Sequence, residues 1–96
     1  MEIICRIVAQ GALTEREYTN RQTQQQERFA SMPFQLQSGA DVIYCEMVQE
    51  QARRQPVLPT DAYYKATLQA SVRSWADQQG TTHYQTQLKL TSICQL

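Results

Sequence analysis

From Ala62 to Trp75 the chain alternates apolar and polar residues without interruption. Tyr64, Ala66, Leu68, Ala70 and Val72 fall on one side, and Tyr63, Lys65, Thr67, Gln69, Ser71, Arg73 and Trp75 on the other. A period of two is that of a β-strand, whose successive side chains point to opposite faces. The first set predicts a core stripe, with small residues where a curved sheet is tight. The second predicts a wet face with aromatics at both ends and cations beside them.

Strand patterns dominate the rest. Glu2 to Gln10 places Ile3, Cys5, Ile7 and Ala9 on one side and Ile4 and Val8 on the other, as in a strand buried on both faces or curled around a core. Gly11 can serve as a bulge or bend. Ala12 to Gln26 is polar, with a strand ending at Tyr18-Thr19-Asn20 and a loop over Arg21 to Gln26. Glu27 to Gln37 reads as a strand with Ala30, Met32, Phe34 and Leu36 on its core face; Pro33, lacking an N–H, suggests an edge or a bulge. Ser38 to Asp41 is a turn and Val42 to Gln49 a strand. Glu50 to Arg54 can make one helical turn before Pro56 and Pro59 stop it. Thr81 to Leu96 is the last strand, with Thr86, Leu88 and Leu90 inward; Ile93 falls out of phase, which predicts a bulge or twist near Thr91.

A chain of 96 residues builds one core, so residues 1–96 read as a single domain. Short strands, polar hairpin loops and at most one helical turn predict an all-β fold, best met at this size by a five-stranded Greek-key OB barrel with long hairpins. The net charge is zero, which argues against a strongly electrostatic nucleic-acid binder but leaves room for a weak one or one with a local basic patch. Cys5, Cys45 and Cys94 are odd in number and lack C-x-x-C spacing, so buried free thiols in a reducing compartment are expected. Met1 to Val8 is too short for a secretory signal, and no run approaches the ~20 apolar residues of a membrane span. A soluble, cytoplasmic protein is expected. No Gly-rich phosphate loop, nucleophile motif or paired Cys/His spacing occurs, so a binding protein without cofactor or metal is expected rather than an enzyme.

The only tryptophan, Trp75, stands beside Arg73 where the long strand runs out into Asp77-Gln78-Gln79-Gly80. An aromatic and a cation on the outside of a strand supply what a single-stranded nucleic acid needs, a π-face for a base and a charge for a phosphate. His83, the only histidine, is expected on the surface of a loop, and Arg53-Arg54 beside the proline loop as solubilising charge or a loop phosphate contact.

The C-terminal third resembles the single-stranded DNA-binding protein family. The residues that carry the likeness are Asp61-Ala62-Tyr63-Tyr64-Lys65-Ala66-Thr67-Leu68, Ser71-Val72-Arg73-Ser74-Trp75, Asp77-Gln78-Gln79-Gly80 and His83-Tyr84-Gln85-Thr86. They match a family pattern in which a strand leads into Arg-x-Arg-x-Trp, then Asp-x-x-Gly, then Arg-Tyr-x-Thr. Glu15-Arg16-Glu17-Tyr18-Thr19 is similar to the turn after that family's first strand. The small primosomal replication proteins are similar in size. The resemblance implies an OB-fold that binds single-stranded DNA, or RNA, with little sequence preference in replication, recombination or repair. It implies base stacking by Trp75 and a phosphate contact by Arg73; Ser71 replaces the family's first arginine. Tyr44 and Phe34 lie in the region of the family's middle-strand aromatics without aligning to them, and the family's acidic tail has no counterpart up to Leu96. Tyr63 and Tyr84 would extend the stacking platform, and Lys65, Lys89 and Arg6 would form a basic stripe with Arg73. A homodimer or higher oligomer is expected, with Glu2 to Gln10 as its seam. The alternative is an OB-fold protein-interaction module with weak or lost DNA binding.

Overall fold

The computed structural model describes residues 1–96. Six strands and one short helix follow one another: β1 (Glu2–Gln10), β2 (Thr14–Thr19), β3 (Gln26–Ser38), β4 (Asp41–Val48), α1 (Gln49–Arg54), β5 (Tyr63–Ala76) and β6 (Thr82–Gln95). They form a single sheet in the order β1-β5-β6-β4-β3-β2, and β1 also pairs with β3. That extra pairing closes a ring of hydrogen bonds through β1, β3, β4, β6 and β5. All pairings are antiparallel except β4 with β6. The fold is all-β, as the alternation predicts, with six strands where five were expected.

The sixth arises at Gly11. The first strand ends there and resumes as β2, leaving the ring to pair only with β3. Gly11 N–H donates to the Pro33 carbonyl at 2.8 Å, and a Cβ at Gly11 would stand 2.4 Å from Pro33 Cγ and 2.9 Å from its Cδ. Only glycine lets the two backbones meet. Pro33 is therefore not on an edge. Its nitrogen points the same way as its carbonyl, to the corner where β3 passes from β2 at Ser31 to β1 at Phe34, so its missing N–H breaks no ladder bond. Gly11→Ala is expected to destabilise by about 1–3 kcal/mol through overpacking. A urea midpoint equal to that of the parent chain would show that the corner relaxes freely.

The core fills the ring. Cys5 and Ile7 of β1, Met32, Phe34 and Leu36 of β3, Cys45 and Met47 of β4, Tyr64, Ala66 and Leu68 of β5 and Leu90 of β6 are all buried. The Tyr64 hydroxyl, the polar end of the largest of these, donates to the Pro59 carbonyl at 2.7 Å. The parallel seam is the thin part of the ring, with one registered pair, Glu46 and Lys89. α1 reinforces it: Ala52 joins the core, and Gln51 Nε2 donates to the Thr91 carbonyl of β6 at 2.7 Å. Arg53 clamps the same helix to β2 and β3, donating to Glu15 at 2.8 Å, Glu50 at 2.6 Å and the Arg28 carbonyl at 3.1 Å. Arg53 is thus a structural tie rather than a solubilising charge or a loop phosphate contact.

The bulge falls where the phase break of Ile93 put it. Thr67 faces Ser92 and Leu68 faces Leu90, so Thr91 is the extra residue. Its hydroxyl donates to the Thr67 carbonyl at 3.1 Å, and Ile93 returns to the core side opposite Ala66.

Three inward assignments need correction. Ala70, Val72 and Thr86 are exposed, because β1 pairs with β5 only as far as Thr67 and the β5–β6 hairpin then runs on as a two-stranded arm. On β1, Ile4 and Val8 are exposed, as is Ala9 beyond the register shift that follows Ile7. Cys94 is also exposed, while Cys5 and Cys45 are buried and free. Burial, then the neighbouring Cys5 and Glu46, pushes the Cys45 thiol up to about 12.

Candidate nucleic-acid interface

Register decides which side chains of the arm act together, since residues opposite each other on an antiparallel pair share a face. Gln69, Ser71, Arg73 and Trp75 pair with Lys89, Gln87, Gln85 and His83. Ala70, Val72 and Ser74 pair with Leu88, Thr86 and Tyr84 on the reverse. Trp75, Arg73 and Lys89 therefore lie on one face, and Tyr84 lies on the other.

The tip is built around Asp77. Its Oδ1 accepts the backbone N–H of Gln79 at 2.9 Å and of Thr81 at 3.0 Å, and its Oδ2 accepts His83 Nε2–H at 2.7 Å. Gly80 takes the positive φ of 81° that closes the turn. His83 is thus a β6 residue at the base of the turn rather than a loop residue. Its ring stacks on Trp75 with centroids 5.6 Å apart and planes 23° apart. The Arg73 guanidinium sits 5.5 Å from the centre of the Trp75 ring. These contacts, each worth about 0.5–1.5 kcal/mol, hold a ribbon that is marginal alone. Trp75 keeps 43% of its surface exposed.

The hydrogen bond from His83, then that from the Thr81 N–H, holds the Asp77 carboxyl below the usual carboxylate range. A depressed carboxyl stabilises the turn above its unfolded value, near 3.9, and that support is lost as pH falls through the folded value. The amide protons of Gln79 and Thr81 should therefore keep their hydrogen-bonded shifts down to about pH 4 and lose them together below it. Loss of either above about pH 5 would overturn this role for Asp77.

Tyr63, Lys65 and Arg6 form a separate patch. Tyr63 precedes Trp75 by twelve residues on β5, a distance of roughly 40 Å, close to the 43 Å length of the molecule. There the Arg6 guanidinium lies 5.4 Å from the Tyr63 ring centre, and Lys65 is paired with Glu2 at 3.4 Å. The seven residues singled out in the sequence thus fall in three places.

The groove that Lys89 faces brings in others. An open cleft of about 430 Å³ lies between β2, β3 and β4 on one side and β6 on the other, lined by Arg16, Phe29, Tyr44, Glu46, Gln87 and Lys89 among others. Tyr44 is exposed, and its hydroxyl donates to Glu46 Oε1 at 2.9 Å, which raises the phenol's pKa. Phe34, the other middle-strand aromatic, is core at 1% exposure. Tyr18 and Phe29 continue the outer surface beside Arg16. Arg16, Arg73 and Lys89 have no carboxylate within 4.0 Å, whereas Arg28, Arg53 and Lys65 are all ion-paired. Arg6, Arg21 and Arg54 likewise have no carboxylate within 4.0 Å, so this side holds three of the six unpaired cations of a neutral molecule. Arg16 and Phe29 escape a reading of single strands, and Tyr44 is reached there only as lying near the family's middle-strand aromatics, because only the closed ring shows that their faces turn toward β6. No family model and no curated protein matches the chain.

Proposed function

We propose that this chain is a single OB-type domain that binds single-stranded DNA, acting by binding and not by catalysis, in replication, recombination or repair. The strand pairings support it: an antiparallel ring with one parallel seam fits an OB barrel, whose strand face and hairpin loops hold oligonucleotides, and the β2–β3 and β5–β6 hairpins flank the groove. The observation that carries the reading is the groove itself, where exposed Tyr44 and unpaired Arg16 and Lys89 share a surface with Trp75 and Arg73 on the arm. Bases stack on Tyr44 and Trp75, and phosphates lie against Arg16, Lys89 and Arg73. A second copy would meet this one along β1, whose Ile4 and Val8 are half exposed, and the setting would be the cytoplasm. No helix is long and apolar enough to cross a membrane.

Titration with oligo-dT, followed by Trp75 fluorescence, tests the reading. Quenching should weaken with salt, and three phosphate contacts give log K a slope of about −2 against log salt on a single strand. No quenching at low salt and micromolar protein would sink it. A protein-interaction module on the same scaffold is favoured by one feature, the uncharged reverse of the arm, where Val72 is 66% and Tyr84 72% exposed. That reading predicts no response to oligo-dT at any salt.

A further inference from the structure

We propose that Glu46 gives the groove a preference for guanine over thymine at one position of a bound strand; this rests on the single-strand reading above. Glu46 is the one carboxylate lining the groove. It is half-buried and has no cation within 4.0 Å, although Lys89 is its registered neighbour across the β4–β6 seam. A bare carboxylate opposes a polyanion unless something on the strand donates to it. Phosphates and sugar ring oxygens have no N–H groups; base edges do.

The geometry selects which edge. Tyr44 and Glu46 are two apart on β4 and point to the same outer face, and the Tyr44 hydroxyl fixes the carboxylate by donating to Oε1. A base stacked on the exposed Tyr44 ring directs one edge along that ring toward Glu46. An ionised carboxylate only accepts, and it has about four lone-pair sites, so one hydroxyl leaves room for two more donors. Guanine places N1–H and N2–H side by side, matching both oxygens in a charge-assisted fork. Cytosine and adenine offer one exocyclic amine each. Thymine offers N3–H between two carbonyl oxygens, which face the carboxylate with like partial charge. Gln85 and Gln87, also in the groove, both donate and accept and so do not discriminate.

The test compares an all-dT oligomer of roughly ten nucleotides with the same oligomer carrying one central dG, dI, dA or dC. Trp75 fluorescence is followed at fixed low salt, with the full chain and with Glu46→Gln. In the parent chain the dG oligomer should bind roughly 5- to 100-fold tighter than all-dT, and dI, lacking the N2 amine, should fall between them. Glu46→Gln should erase the ranking and bind all-dT at least as well as the parent does. Equal affinity for dG and dT oligomers in the parent chain, or a dG preference that survives Glu46→Gln, overturns the role of Glu46 and leaves the single-strand reading standing. A parent chain that binds none of the oligomers overturns both.

Discussion

Phe34→Ala should cost about 3–5 kcal/mol, the upper range for emptying a packed site, and leave the chain only marginally folded at room temperature. Phe34 is 1% exposed on β3, the strand that pairs with β1, β2 and β4. Its ring lies in the one core cluster, to which β1, β3, β4, β5, β6 and α1 all contribute. Only 13 of the 96 residues are buried, so few neighbours can move in to fill the space. Domains of this size are stable by roughly 5–15 kcal/mol, and a core this small belongs at the low end. Urea unfolding checks the result. A loss under about 1 kcal/mol, far below the usual range for a buried phenylalanine, would show that the ring is not packed as described.

The same residue shows where a sequence stops being informative. Alternation put Phe34 with Ala30, Met32 and Leu36 on the core face of β3, and all four are buried. Alternation is a local property, and so are the Gly39 hairpin turn, the prolines that stop α1 and the phase break that places the bulge at Thr91. The family resemblance placed Phe34 near the middle-strand aromatics without aligning it to one, and its burial makes it core. Other properties are not local. Ala70 and Val72 continue the stripe of Tyr64, Ala66 and Leu68, but the stripe is core only where another strand covers it, and β1 leaves β5 at Thr67. Tyr84 and Trp75 are parted by the pairing register, which sets Tyr84 opposite Ser74. Trp75, Arg73 and Lys89 were legible as one face because an odd-numbered series on β5 meets an odd-numbered series on β6. Tyr44 and Arg16 join them only through closure of the ring.

That geometry makes a sharp expectation for binding. Replacing Tyr44 and Trp75 together by alanine should weaken oligo-dT binding by about 30-fold at the least, since each stacked base is worth about 1–3 kcal/mol. The two rings lie two strands apart in the order β5-β6-β4 and about four residues apart along them, roughly 15 Å in all, so their losses should add. Fluorescence is lost with Trp75, so the double variant is read by anisotropy of a labelled oligomer. The loss of stability should be confined to the arm, where Trp75→Ala removes the contacts to His83 and Arg73, about 0.5–1.5 kcal/mol each, while the exposed Tyr44 adds little. Tyr63→Ala is the control. It removes an aromatic that is equally exposed, 57% against 57% for Tyr44, but at the far end of β5. Affinity should then stay within about twofold, which is under 0.5 kcal/mol. If Tyr63→Ala weakened binding as much as the double variant, the strand would have to run along β5 rather than across the groove, and Tyr44 would lose its place in the site. If the double variant bound as the parent does, neither ring would be a stacking platform, and the cations alone would carry whatever affinity the chain has.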